Sequence, residues 1–193
     1  MNVDDFLEKA KGFNNIKVFQ LDENLSLGDC FKLGLDHSQF DFIAKFDDDD
    51  YYGKDYLSQA MQAFNQVDCY VVGKSSYYIY FNQSKTLALY GGKKENMFVT
   101  RVTDSSLVFK KHVFENIKIP QVKKAGTFAN IQTQLREYGM TIYSTDRLNY
   151  MVIRNPKEQH TWQITEAEYL SYHPVKVVAE NVDDFTPYIE IDK

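Results

Sequence analysis

The 193-residue chain reads as a single α/β domain, three layers deep, around a central mixed, mainly parallel sheet. Three observations lead there. Segments with helical apolar spacing alternate with short apolar runs up to about residue 73. The second half is richer in β-type runs, separated by Gln83-Ser84 and Gly91-Gly92-Lys93-Lys94. The length suits one domain, 1–193, with a core of useful size.

Each element has a local reason. Residues 3–13 place Val3, Phe6, Leu7 and Ala10 at helical spacing, acidic first and basic later, which matches the helix dipole. Gly12 and Asn14-Asn15 end that helix, and 16–21 reads as a short strand. Ser26 is an N-cap for a helix over about 27–38. Residues 42–46 form an apolar run that reads as an interior strand, and 55–65 as a helix carrying Tyr56, Leu57, Ala60, Met61 and Phe64. Strands are expected at 69–73, 76–81, 86–90, 107–109, 141–143 and 150–154. Helices are expected at 111–116 and 127–138, the latter closed by Gly139. Residues 163–193 read as a C-terminal extension of the domain.

Composition narrows the function. A formal net charge of −5 without a basic cluster argues against nucleic acid. No run of 18 apolar residues predicts a membrane span, and the start, Met1-Asn2-Val3-Asp4-Asp5, lacks a signal-peptide pattern. Cys30 and Cys69 sit in apolar contexts without metal spacing, so both read as reduced core residues of a cytoplasmic protein.

Four consecutive aspartates, Asp47 to Asp50, follow directly on the 42–46 run. Crowded carboxylates repel one another, and a hard divalent cation relieves that repulsion. Mg²⁺ is usually held by one or two carboxylates plus substrate phosphates. A strand ending in such a run therefore suits a metal–diphosphate site, with a solvated acidic turn as the plain alternative.

Two strings, read together, carry a family resemblance. The first is Asp22-Glu23-Asn24-Leu25-Ser26-Leu27-Gly28-Asp29-Cys30-Phe31-Lys32-Leu33-Gly34-Leu35, and the second Ile43-Ala44-Lys45-Phe46-Asp47-Asp48-Asp49-Asp50-Tyr51-Tyr52. At this spacing they resemble the nucleotide-sugar-binding core of family 2 glycosyltransferases of the GT-A type. A weaker likeness continues through Ser105-Ser106-Leu107-Val108-Phe109-Lys110-Lys111 and on to Trp162. The resemblance implies a GT-A-like fold, a nucleotide-diphosphate sugar donor (UDP-type), Mn²⁺ or Mg²⁺, and transfer to an acceptor it does not identify. By the resemblance Asp47 faces the ribose or the metal, and Asp48, grouped with the donor contacts, points away. Lys45 belongs to the same donor set and either touches a phosphate or pairs with an aspartate, while Trp162 either stacks on a sugar or anchors its loop. Metal ligation would fall to Asp49 and Asp47, completed by His160, and Asp50 would support the turn.

The chain also departs from the family pattern. The family's opening strand and its Thr-Tyr-Asn-like loop have no counterpart, since residues 1–20 resemble the second helix and strand. Aligning Gly126 with the glycine of the family's Glu-Asp motif puts Thr127 and Phe128 where the acids should stand. Neither accepts a proton at neutral pH. Asp104 and Glu137 are the remaining candidates for a catalytic base. Three readings stay open at this level: a weakly active transferase, a non-catalytic relative that binds or scaffolds, and a fragment of a longer enzyme.

Overall fold

The structure, a computed structural model, describes residues 3–122, 126–156 and 163–190. Helix α1 (Val3–Ala10) comes first and buries none of its residues. Helix α2 (Leu27–His37) begins at a full capping box: Ser26 Oγ accepts from the Asp29 N–H while the Asp29 carboxylate accepts from the Ser26 N–H. This reciprocal pairing satisfies two backbone donors that a helix start leaves free. Gly28 lies where α2 meets the 119–120 segment, and a Cβ there would stand 2.0 Å from the Pro120 carbonyl oxygen.

Strands β1 (Phe42–Ala44) and β2 (Tyr51–Tyr52) flank the aspartates, and helix α3 (Tyr56–Gln66) follows. Next come β3 (Val71–Gly73), β4 (Tyr77–Phe81), β5 (Thr86–Tyr90) and β6 (Met97–Val99). A 3-10 turn over Asp104–Ser106 leads into β7 (Val108–Lys110), and a second one covers Lys111–Glu115. Helix α4 (Thr127–Glu137) precedes β8 (Ile142–Ser144) and β9 (Tyr150–Arg154). The chain then forms α5 (Glu166–Ser171), β10 (Val175–Ala179) and α6 (Thr186–Ile189).

The fold is α/β, with two mixed sheets of five strands rather than one central sheet. One runs β1-β7-β3-β8-β6 and the other β10-β5-β4-β9-β2. Among the described residues, parallel pairing is confined to β3 with β8 and β4 with β9. The remaining pairs are antiparallel, which corrects the expectation of a mainly parallel sheet. Parallel strands need a long crossover, whereas β4 and β5 are joined by a tight connection with Lys85 at φ 54°.

Three further expectations are corrected. The 42–46 run is not interior: β1 ends at Ala44 and pairs only with β7 among the described residues, at the edge of its sheet. Residues 16–21 form no ladder, and Ile16, Phe19 and Leu21 stay exposed. Cys30 is exposed on α2, and only Cys69 is buried. Among the described residues no helix is long and apolar enough to cross a membrane.

The core falls into three clusters. Phe109, Phe128, Ile131, Leu135 and Ile142 pack α4 against the first sheet. Tyr56, Ala60, Cys69, Ile79 and Tyr150 fill the space around α3. Leu87, Met151, Val182 and Ile189 tie the C-terminal residues to the second sheet.

Candidate active site

Between β1 and β2 the chain makes a turn, and this turn presents the aspartates. The Asp50 N–H reaches the Asp47 carbonyl at 3.4 Å, and Asp48 and Asp49 stand exposed at the tip. Both ends of the turn are fixed from below. The Tyr52 hydroxyl accepts from the Asp47 N–H at 2.9 Å and donates to the Ser105 carbonyl at 2.7 Å. Asp50 is drawn inward: Tyr150 Oη donates to one carboxylate oxygen at 3.0 Å and the Ile153 N–H to the other at 3.2 Å. Burial pushes the Asp50 carboxyl up to about 6, against the pull of its hydrogen bonds to Ser105, Tyr150 and Ile153. Asp50 thus anchors the turn, the half-exposed Asp47 turns to Lys45, and Asp48 and Asp49 face outward.

Lys45 is the link to the rest of the site. Its ammonium pairs with the Asp47 carboxylate and lies 4.9 Å from the centroid of the Phe128 ring. Its charge also reaches Asp104. Phe128 is buried, edge-on to Phe31 at 5.0 Å between centroids. The position that the resemblance gives to an acid therefore holds a ring whose negative face supports a lysine.

The structure places the two candidate bases differently. Asp104 opens the 3-10 turn after β6, where Arg101 Nη2 lies 3.3 Å and Gln132 Nε2 2.9 Å from its Oδ1. Burial raises its pKa above the ordinary carboxylate value, opposed by Arg101, Lys45 and Gln132. Asp104 also lines a cavity of about 760 Å³. Glu137 is exposed in the last turn of α4, nine residues beyond Phe128 and so about 13 Å further along the helix. The geometry brings Asp104, and not Glu137, to the Lys45 side. His160 and Trp162 lie outside the described residues.

Arg154 carries no signal in the sequence beyond its place at the end of a strand. It closes β9, is buried, and stands 5.6 Å from the Tyr169 ring centroid. Burial lowers its pKa, while Tyr169, Asp49 and Asp50 hold its charge in place. Nothing local in Tyr150-Met151-Val152-Ile153-Arg154 signals that role, because the parallel pairing of β9 with β4 and the packing of Tyr169 create it.

Among the described residues, no three His, Cys, Asp or Glu side chains converge into a ready metal cage. Asp47 and Asp49 instead supply hard oxygen donors on an exposed turn. That fits a cation completed by phosphate oxygens better than one caged by protein alone.

Comparisons with known proteins bear on the family and the fold. The model of the family described as glycosyl transferase family 2 matches residues 2–115. Among solved structures, S. aureus TarS residues 1–349 in complex with UDP-GlcNAc shares the fold at a TM-score of 0.55 and 18% identity. The match covers 78% of this chain and 46% of that one, so the chain spans about half the length of that neighbour. No curated protein matches the sequence.

Proposed function

The chain belongs to glycosyl transferase family 2, and from that premise we propose that it binds a nucleotide-diphosphate sugar at the Asp47–Asp49 turn, together with Mn²⁺ or Mg²⁺, and transfers the sugar to an acceptor. The observation that carries this reading is the turn itself. The exposed Asp49 and the half-exposed Asp47, the latter paired with Lys45, stand on a backbone that Tyr52, Tyr150 and Ser105 hold in place. Rigid placement keeps the donor's reacting carbon within reach of an incoming hydroxyl.

Asp47 and Asp49 would hold the cation, which neutralises charge on the diphosphate leaving group. Lys45, paired with Asp47, would also lie near a phosphate of the donor, and the Arg154 guanidinium would suit bidentate contact with a second one. A UDP-type donor is our choice because the TarS structure is described in complex with UDP-GlcNAc. Asp104 is our candidate for the base. Its raised pKa brings it closer to the working range of a proton acceptor, and it lies between Lys45 and a cavity large enough for a sugar.

A second reading, a binding protein that has lost the chemistry, rests on Phe128 and on the hydrogen bonds that tie Asp104 to Arg101 and Gln132. Donor hydrolysis across a panel of UDP-sugars separates the two. The enzyme reading expects turnover with Mn²⁺ that falls about 10²–10⁴-fold in Asp104→Asn. Wild-type hydrolysis no faster than the protein-free rate would favour the binding protein, and clear turnover unchanged in Asp104→Asn would remove Asp104 as the base.

A further inference from the structure

We propose that the cavity beside Asp104 is the acceptor subsite and that the acceptor is a saccharide carrying a negative charge, as phosphate or carboxylate. This rests on the donor reading above and adds the chemistry of the second substrate.

The cavity, about 760 Å³, is walled by aromatic rings and rimmed by cations. Tyr77 and Tyr90 stack 5.0 Å apart at an interplanar angle of 18°, and Tyr169 and Tyr172 meet edge-on at 6.3 Å. Tyrosine offers a flat apolar face and a polar tip, which suits the C–H face and the hydroxyls of a sugar ring. The rim is supplied by the connection between β5 and β6. Gly91 and Gly92 both take positive φ, at 82° and 85°. The Ser76 hydroxyl accepts from the Gly92 N–H at 2.8 Å and the Lys94 N–H at 3.4 Å. A Cβ at Gly91 would lie 2.9 Å from both Ser75 O and Ser76 Oγ, so the loop is built tight against β4. The result is Lys93 and Lys94 held side by side at the cavity, with Arg101 nearby.

Charge makes the case for an anion. The chain as a whole is −5, so its general field repels anionic ligands. Arg101 shares its charge with Asp104 at 3.3 Å, which leaves the lysine pair as the anchor. Lysines bind phosphate and carboxylate as point charges. Asp104 lines the same cavity and lies within the field of Lys45, the residue that pairs with Asp47. An acceptor held here by its charged group at the rim would present hydroxyls toward Asp104.

Amide chemical-shift titration with glucose 6-phosphate, glucuronate and glucose tests this. We expect the charged sugars to shift Gly91, Gly92 and Tyr172 and to bind at least tenfold more tightly than glucose. Comparing the phosphate with the carboxylate tells which anion is preferred. The double variant Lys93→Glu/Lys94→Glu, at two exposed positions, should abolish the preference while leaving UDP–Mn²⁺ binding unchanged. Equal binding of glucose and glucose 6-phosphate, a preference retained in the double variant, or UDP shifting these same amides would each overturn the assignment. If UDP–Mn²⁺ fails to bind while the sugars behave as stated, the donor reading falls and the anionic-saccharide site stands.

Discussion

Lys45 and Phe128 show how one residue pair decides what can be tested. The sequence suggests restoring a base by Phe128→Asp, but Phe128 is buried among Phe31 and the Lys45 ammonium. Removing a buried phenyl ring costs about 3–5 kcal/mol, and a carboxylate at that depth adds desolvation. We expect Phe128→Asp to lower the unfolding free energy by at least 3 kcal/mol in a urea titration, so lost activity in that variant would report folding before chemistry. Lys74 gives the pH dependence. It is buried, and its ammonium donates to the Asp146 and Leu148 carbonyls at 2.8 and 2.7 Å and to the Gln59 side chain. Burial pushes its pKa down to about 7, with Asp146 and Glu95 opposing. Between pH 7 and the ordinary value of 10.5 the unfolded chain binds more protons than the folded one, so stability rises with pH through that window. From pH 7 to 9.5 the gain should be on the order of 3 kcal/mol, and Lys74→Met should remove the slope. At this scale the aspartate run was legible because four acids in a row need no context. Lys74 and Arg154 were not, since their importance comes from burial by residues far away in sequence.

Elements follow local rules where the rules are local. The capping box at Ser26 and Asp29 and the closure of α4 at Gly139 stand where the residue types put them. The edge position of β1 was not legible, because whether a strand is interior depends on which others pair with it. An apolar run such as 42–46 reads the same in either place. Gly28 carries an element-scale prediction. A Cβ on α2 at this point would collide with the Pro120 backbone, not with a flexible side chain. Ala is the better helix former by about 1 kcal/mol, yet overpacking costs about 1–3 kcal/mol and shifts α2 off its partner. Gly28→Ala should therefore lower Tm, where helix propensity alone would raise it.

Across the whole molecule, the residues that the sequence presents only as an extension complete the second sheet. Strand β10 pairs with β5, the Tyr80 hydroxyl donates to the Val182 carbonyl at 2.7 Å, and Tyr51 Oη to Glu190 at 2.5 Å. Tyr51 directly follows the aspartates, so the C-terminal residues brace the site from beneath. Ile189 is fully buried against Leu87 and Met151, and Ile189→Ala should cost about 2–5 kcal/mol by calorimetry. This is not legible in the sequence because the C-terminal segments are short and partners such as Tyr90, Tyr80 and Tyr51 lie 85, 102 and 139 residues away.

The central claim is that the outward aspartates bind a cation only in company with a nucleotide diphosphate. Isothermal calorimetry of UDP, with and without Mn²⁺, on the wild type and on Asp49→Ala tests it most directly. The account predicts weak metal binding alone, clear UDP binding once Mn²⁺ is present, and at least a tenfold loss in Asp49→Ala. UDP binding that ignores both the metal and the substitution would contradict it.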